Sequence, residues 1–301
     1  MKKLLLGNEA IARGAYEAGV RVSSAYPGTP STEINENVAT YPEIYSEWAP
    51  NEKVAVEVAL GAAVSGARSL ACMKHVGLNV AADPFFTATY TGVNAGMVVV
   101  VADDPGMHSS QNEQDTRMLA RASHAPVLDP SNSQECKDFL KLAYEISEKY
   151  DTPVILRVTT RIAHARTLVE LDERVEVPLR EYKRDIKKYV SMPANMIARH
   201  LYVEEREKKL AEDANTLPIN RIEWADRKIG VITSGAAYNY VKEAMPTASV
   251  LKLGLAYPMP RKLIEEFAAG VDTLYVIEDM EPFYEDTIKS CLLYTSPEPT
   301  R

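Results

Sequence analysis

The residue with the clearest potential for chemistry is Glu52, an acidic side chain that opens an otherwise apolar segment. From Val54 to Val64 every residue is aliphatic, alanine or glycine except Glu57, so we expect a helix buried on nearly all sides. Asn51 is a favourable N-cap and places Glu52 in the first turn, where the helix dipole favours an ionised carboxylate. Glu52 either complements the helix N-terminus or is held for chemistry at the edge of a dry pocket.

The other candidates for chemistry lie where predicted strands end. VRVSSAY (Val20 to Tyr26) runs into a Pro-Gly turn, SLACMKH ends at His75, and GMVVVVADD ends at Asp104. Ligands of parallel α/β sheets gather at the carboxyl ends of the strands. We therefore expect the site to be built from the start of the helix at Asn51 and from three loops, Tyr26 to Pro30, His75 to Gly77, and Asp103 to Arg117.

The elements that position these loops alternate between strand and helix over about 160 residues, which predicts a doubly wound, mostly parallel α/β domain. The valine run of GMVVVVADD is typical of a central strand buried on both faces. Thr29 is predicted to cap a helix with Pro30 in its first turn. Ser131 and Gln134 are predicted to form the capping box of a helix that ends near Tyr150.

The second half of the chain changes in composition twice, first to a charged and irregular segment and then back to alternating strands and helices. We predict one domain over residues 1–160, a charged and solvated connector over 161–227, and a smaller, incomplete α/β domain over 228–290. The closing residues, CLLYTSPEPTR, do not continue the preceding pattern. We expect 291–301 to be a non-native tail.

Composition narrows the function classes. The chain has 301 residues, 46% of them hydrophobic, and a net charge of -8 from 42 acidic and 34 basic residues without a basic face, so nucleic acid is not an expected partner. No run approaches the roughly 18 apolar residues of a membrane span, and Leu4 to Leu6 is too short for a secretory signal. We expect a cytoplasmic protein. Cys72, Cys136 and Cys291 are far apart and have no metal-ligand spacing, so buried free thiols are expected.

Three segments together resemble the indolepyruvate ferredoxin oxidoreductase alpha subunit, one of the thiamine diphosphate-dependent 2-oxoacid:ferredoxin oxidoreductases. They are AYPGTPSTE at Ala25 to Glu33, NEKVAVEVALGAAVSGARSLACMKHVGLNVAADP from Asn51, and the second domain with TSG, KLGLAYPMP and VIEDMEPFYE. The resemblance implies a pyrimidine-binding thiamine diphosphate domain followed by a transketolase C-terminal-like domain. It covers residues 1–290.

The resemblance also implies a catalytic role for Glu52. In such enzymes a glutamate bonds N1' of the aminopyrimidine and promotes the imino tautomer that removes the thiazolium C2 proton. That glutamate lies nine residues before the glycine of a Gly-Ala pair, here Gly61, and the count leads to Glu52. Glu57 is the alternative, but it sits deeper in the apolar helix and faces away from Glu52.

The resemblance supplies further site residues. Tyr26, Pro27, Thr29 and His75 are implied on the cofactor, and Thr29 also on the 2-oxo acid, with a helix cap as its ordinary alternative. Arg121 or Arg117 is implied on the substrate carboxylate, with a surface salt bridge as the alternative for either. His75 and His108 are expected to face one cleft, where a structural hydrogen bond remains open for each.

The parent reaction implied by the resemblance converts an aryl pyruvate and coenzyme A to an arylacetyl-CoA and carbon dioxide, with electrons passed to ferredoxin. A beta subunit is the implied partner, and the thiamine domains are expected to form a homo-oligomer. The Gly-Asp-Gly motif that holds the diphosphate through Mg²⁺ and the cysteine motifs of [4Fe-4S] clusters are not in this sequence, so no metal is expected on this chain. We expect a fragment that alone neither binds thiamine diphosphate tightly nor turns over. Another 2-oxo acid, such as pyruvate or 2-oxoglutarate, or a non-catalytic assembly subunit, is the alternative.

Overall fold

The structure is a computed structural model that describes residues 1–291. The first part of the chain forms β1 (Lys2–Leu6), α1 (Gly7–Glu17), β2 (Val22–Ala25), α2 (Thr32–Val38), β3 (Tyr45–Trp48), α3 (Glu52–Val64), β4 (Ser69–Lys74), α4 (His75–Thr91), β5 (Met97–Asp103), α5 (Thr116–Ala122), β6 (Val127–Leu128), α6 (Ser133–Tyr150), β7 (Val154–Thr159), α7 (Thr160–His164) and β8 (Arg166–Glu170). The second part forms α8 (Ile186–Tyr189), α9 (Pro193–Asp213), β9 (Arg221–Glu223), β10 (Asp226–Thr233), α10 (Gly235–Ala244), β11 (Ala248–Lys252), β12 (Leu255–Tyr257), α11 (Arg261–Ala269), β13 (Thr273–Ile277) and α12 (Phe283–Cys291).

A seven-stranded sheet forms the centre of the described chain, in the order β12-β6-β7-β5-β4-β2-β3. All neighbouring strands in it are parallel except β12, which is antiparallel to β6. The chain moves outward from the centre in both directions, which is the doubly wound topology. The predicted fold class is confirmed.

Strand β5 explains why the sheet accepts a continuous valine run. Val98 and Val100 pack into one core with α1 and α6, whereas Val99 and Val101 pack into a second core with α3 and α4. Because both faces of β5 are covered, apolar side chains fill every position of the strand up to Ala102.

Helix α3 is less buried than its sequence predicts. It packs against α4 and against strands of the large sheet, but Glu57 and Gly61 on its outer side are exposed. Val54 and Val58 on that side are only half-buried. The expectation of burial on nearly all sides is therefore wrong, because the described chain places no element over this apolar face.

The structure confirms the predicted start of α3 but not that of α2. Asn51 caps α3 as predicted, since its side chain accepts a hydrogen bond from Val54 N at 3.0 Å. Thr29 does not cap α2, which begins at Thr32.

Helix α6 is capped by Asn132, whose side chain accepts from Glu135 N at 2.9 Å, so the predicted capping box of Ser131 and Gln134 is wrong. Glu135 instead reaches back to Ser131 N, at 2.8 Å.

Two strand pairings join residues that are far apart in the sequence and lie in different predicted parts of the chain. Strand β1 pairs with β8, which lies in the predicted connector, and β12 of the second unit joins the large sheet beside β6. The second unit has its own sheet in the order β13-β10-β11-β9. The division into domains stays a prediction, and the predicted tail falls outside the described residues except for the end of α12.

The sequence also makes predictions about the thiols of Cys72 and Cys136 and about the apolar length of the helices. Cys72 and Cys136 are free and buried, and burial raises the pKa of both thiols. None of the helices found in residues 1–291 has the length and apolar character needed to cross a membrane.

Candidate functional site

Glu52 lies at the edge of the large sheet where the parallel strands end. Its side chain packs against Gly77, because a Cβ atom added to Gly77 would lie 2.5 Å from Oε1 of Glu52. Glu52 is 8% exposed, and no group in the described chain donates a hydrogen bond to its carboxylate. Buried carboxylates normally have donors. A carboxylate without a protein donor, at the edge of the sheet where the strands end, is therefore placed to meet a donor from a ligand.

The turn after β2 presents Thr29 to the same edge. The turn is held by its own backbone, since Gly28 O accepts from Ser31 N at 2.8 Å and Gly28 N donates to Thr32 Oγ1 at 2.9 Å. Pro30 O accepts from Asn8 Nδ2 at 2.8 Å.

The rest of this turn faces outward. Tyr26, Pro27 and Thr29 are exposed, and no hydrogen-bond partner of the Thr29 hydroxyl is found in the described residues. The Thr29 hydroxyl is thus free to contact a ligand.

His75 is fixed in one tautomer by the loop after β5. Its Nε2 lies 3.1 Å from the carbonyl oxygen of Asn112, which only accepts, so Nε2 carries the hydrogen. His75 is 2% exposed, and its Nδ1 is buried without a partner. The imidazole also lines a cleft of about 310 Å³ together with Leu78, Asn79, Gln114, Asp115, Thr116, Met118, Leu119 and Glu281.

His108 does not share this cleft. It lines a neighbouring pocket of about 400 Å³ with Thr160, Arg161, His164 and Ala165. The expectation that His75 and His108 face one cleft is therefore wrong. The loop that joins β5 to α5 contributes Gln114 to the cleft beside His75 and His108 to the other pocket.

Arg117 is committed to contacts inside the protein. It is 1% exposed, and its guanidinium group donates to the Asp115 carboxylate and, at 2.8 Å, to the Glu278 carboxylate. Further bonds go to the backbone carbonyls of Asp279 and Glu281. Burial alone would raise the pKa of Asp115, but nearby guanidinium groups, Arg117 among them, hold it below its ordinary value. Each nitrogen of Arg117 already has a protein acceptor.

Arg121 lies in the last turn of α5 and is exposed. Neither Arg121 nor Arg117 lines the cleft beside His75. Glu52 and Thr29 do not line that cleft either. The role of the two arginines on the substrate carboxylate stays a prediction.

A buried ion-pair network below the site was missed from the sequence. Arg157 of β7 donates to Asp103 at 2.7 Å and to Asp129 at 3.1 Å, and Thr116 donates to Asp103 at 2.5 Å. Burial raises the pKa of Asp103, and the Arg157 charge opposes that shift. The available signal was the single arginine inside the apolar strand PVILRVT. The network anchors both ends of the loop between β5 and α5.

Lys74 was also missed. It is the last residue of β4, immediately before His75, and its side chain lies against Gly28 of the Tyr26 to Pro30 turn. Sequence reasoning placed it inside a strand and gave it no role. Its position at a strand end was the signal that could have found it.

The sequence of this chain is similar to that of a known family. Residues 13–220 match the family described as pyruvate flavodoxin/ferredoxin oxidoreductase, thiamine diphosphate-binding. The chain belongs to this family. The resemblance drawn from AYPGTPSTE and the helix at Asn51 is thereby confirmed.

Two curated relatives with the same subunit name are similar to this chain over almost all of its length. Indolepyruvate oxidoreductase subunit IorA of Pyrococcus horikoshii is 47% identical over 96% of this chain and 47% of its own length. IorA of Methanothermobacter thermautotrophicus is 46% identical over 94% of this chain and 48% of its own length. The chain thus spans about half the length of these relatives. The 2-oxoglutarate synthase subunit KorA of the same organism is 31% identical over 57% of this chain and 48% of its own length.

A solved structure shares the fold. The 2-oxoglutarate:ferredoxin oxidoreductase of Magnetococcus marinus, with 2-oxoglutarate, coenzyme A and succinyl-CoA bound, aligns over 96% of this chain and 60% of its own. The TM-score is 0.81 at 20% sequence identity.

The described residues fit one end of thiamine diphosphate, the cofactor of this family's domain. The aminopyrimidine ring presents nitrogen atoms that share or donate protons, and the unpartnered carboxylate of Glu52 is a matching group. In the part of the chain that the structure describes, no group of three His, Cys, Asp or Glu side chains is placed to hold a metal ion.

Proposed function

We propose that this chain forms the aminopyrimidine side of the thiamine diphosphate site in a cytoplasmic indolepyruvate:ferredoxin oxidoreductase. The reaction converts an aryl pyruvate and CoA to an arylacetyl-CoA and carbon dioxide and reduces ferredoxin. The observation that carries the proposal is the Glu52 carboxylate, which is buried at the start of α3 without a protein donor. The identity to IorA relatives supports the choice of substrate class.

Thiamine diphosphate supplies a carbon nucleophile for the 2-oxo group and an electron sink for decarboxylation. Glu52 holds a proton at N1' of the aminopyrimidine. Asn51 fixes the first turn of α3, and Gly77 leaves the space in which the carboxylate lies. Low solvent access at Glu52 strengthens this proton sharing, because water does not compete for the carboxylate.

Other residues surround the cofactor and substrate in this proposal. Tyr26, Pro27 and His75 contact the cofactor, and the free hydroxyl of Thr29 meets the cofactor or the 2-oxo acid. Arg121 or Arg117 remains a candidate for the substrate carboxylate. Arg117 would have to give up contacts it now makes with the Asp115 and Glu278 carboxylates.

The diphosphate end of the cofactor, its Mg²⁺ and the [4Fe-4S] clusters are proposed to be held outside residues 1–291, with a beta subunit completing the enzyme and the thiamine domains forming a homo-oligomer. The isolated chain is expected not to bind thiamine diphosphate tightly and not to turn over. Stoichiometric calorimetric binding by the 301-residue chain would contradict this expectation.

The test of the proposal is the pair Glu52→Gln and Glu57→Gln in the completed subunit with its beta partner. Glutamine keeps the shape of glutamate but cannot take up the shared proton, so E52Q should lower kcat by orders of magnitude. Glu57 lies on the exposed side of the same helix, and E57Q should keep activity near the unsubstituted level. A non-catalytic assembly role instead predicts full activity for E52Q.

The runner-up function is the same chemistry on a different 2-oxo acid. The observation in its favour is the KorA relative, which is named for 2-oxoglutarate. Initial rates of ferredoxin reduction with indolepyruvate, pyruvate and 2-oxoglutarate separate the two. Preference for either of the latter substrates would replace the aryl assignment.

A further inference from the structure

We propose that Lys74 binds the carboxylate of the 2-oxo acid substrate, an inference that rests on the proposed function. Lys74 ends β4 at the carboxyl edge of the sheet and precedes His75 directly. Three residues further on, Gly77 packs against the Glu52 side chain. Lys74 therefore lies on the same short segment that borders the catalytic carboxylate.

The stem of Lys74 is held against the turn that carries Thr29. A Cβ atom added to Gly28 would lie 3.0 Å from Cδ and 3.1 Å from Cγ of Lys74, so the glycine leaves just enough room for this side chain. The residue after Gly28 is Thr29, whose hydroxyl has no partner in the described residues. The Lys74 stem and the turn that carries Thr29 thus meet at the ends of the neighbouring strands β4 and β2.

The ammonium group has capacity left for a ligand. It donates at 2.9 Å to the carbonyl oxygen of Ser109, and an ammonium group has three donors. No carboxylate of the described residues pairs with it, although the chain carries a net charge of -8. Half-buried Lys74 is therefore a cation held at the site without a protein anion.

The two arginines considered from the sequence are not both half-buried and free to donate to a ligand, as Lys74 is. Each nitrogen of Arg117 donates to a protein acceptor, and Arg121 is exposed in the last turn of α5. A lysine contacts a carboxylate as a point charge at one oxygen. The Thr29 hydroxyl is then available to donate to the other oxygen.

The inference is tested by binding of an unreactive substrate analogue to the assembled enzyme with its beta partner. Indole-3-lactate keeps the carboxylate, and indole-3-lactamide removes only its charge. The unsubstituted enzyme should bind the acid about tenfold more tightly than the amide, the effect expected of one charge-assisted contact. Lys74→Met should abolish this preference, Lys74→Arg should retain most of it, and Lys183→Met on the exposed connector should leave it unchanged.

Steady-state kinetics give a second readout. K74M should raise KM for the 2-oxo acid about tenfold with a smaller change in kcat, whereas loss of Glu52 acts on kcat. Equal loss of affinity for acid and amide in K74M would overturn the inference, since Lys74 would then only shape the cleft. An unchanged acid preference in K74M would overturn it too. The binding measurements need no turnover, so either result leaves the proposed function to the Glu52 test.

Discussion

At the scale of single residues, the position of Glu52 depends on a glycine. A Cβ atom at position 77 would lie 2.5 Å from Oε1 and 2.6 Å from Cγ of Glu52, closer than real Cβ contacts allow. Alanine there would push the carboxylate out of its place. The spacing implied by the family resemblance points from Gly61 to Glu52, but the contact with Gly77 depends on how α3 packs against α4.

The pair Gly77→Ala and Gly61→Ala tests this dependence. G77A should lower kcat of the assembled enzyme by at least about tenfold, because the carboxylate can no longer reach its proton partner. Gly61 is exposed with nothing within 4 Å of an added Cβ, so G61A should keep kcat and raise unfolding stability by about 0.5–1 kcal/mol. Steady-state kinetics and thermal unfolding of both variants show whether Gly77 holds the Glu52 carboxylate in place. Normal kcat in a folded G77A enzyme would show that Glu52 is not held by this contact.

At the scale of elements, the loop between β5 and α5 is organised by Asp104. Its carboxylate accepts from Ser109 N at 2.7 Å, from Ser110 Oγ at 2.8 Å and from Thr160 Oγ1 at 2.7 Å. Burial alone would raise the pKa of Asp104, but these three donors lower it below its ordinary value. The same loop supplies Asn112 to His75, so its order is linked to the cleft.

Asp104→Asn should therefore destabilise the protein in a pH-dependent way. A carboxyl group whose pKa is lowered by folding stabilises the native state above its unfolded pKa of about 3.9 and loses that effect as pH falls through the folded value. D104N should cost about 1–3 kcal/mol of unfolding free energy at pH 7. The difference should shrink below about pH 4. Urea unfolding across pH, with exposed Asp272→Asn as the control, measures it, and a difference that grows in acid would contradict the assignment.

The elements that the sequence predicts well are those whose residues carry a pattern within a short stretch of chain. The valine run of β5 and the cap at Asn51 were found because burial on two faces and helix capping leave patterns within a few residues. Strand β1 was missed because its partner β8 lies over 150 residues away, and β12 because it leaves its own unit to pair with β6. The apolar outer side of α3 misled the burial prediction, because composition does not say which surface covers it.

At the scale of the whole molecule, the two predicted units share one core. Val101 of the large sheet, Ile232 and Leu251 of the second sheet and Phe283 of α12 belong to the same buried cluster. Polar contacts also cross between the units, and Ser234 donates to Asp129 at 2.7 Å within that buried boundary. Apolar area that is removed from water only when both units are folded couples their stabilities.

Unfolding should therefore be a single cooperative transition, and the two tryptophans of the chain can report on it separately. Trp48 lies in β3 of the large sheet, and Trp224 packs against Phe267 of the second unit. In urea, Trp48→Phe and Trp224→Phe should each give one fluorescence transition, and both midpoints should coincide with that from far-UV circular dichroism. Arg117→Met would leave the Asp115 carboxylate buried without its hydrogen-bonded partner, so it should lower the free energy of unfolding by about 3–5 kcal/mol and shift both midpoints together to lower urea. Separate midpoints for the two tryptophans would mean that the shared core does not couple the units, because each would then unfold while the other kept its apolar surface buried.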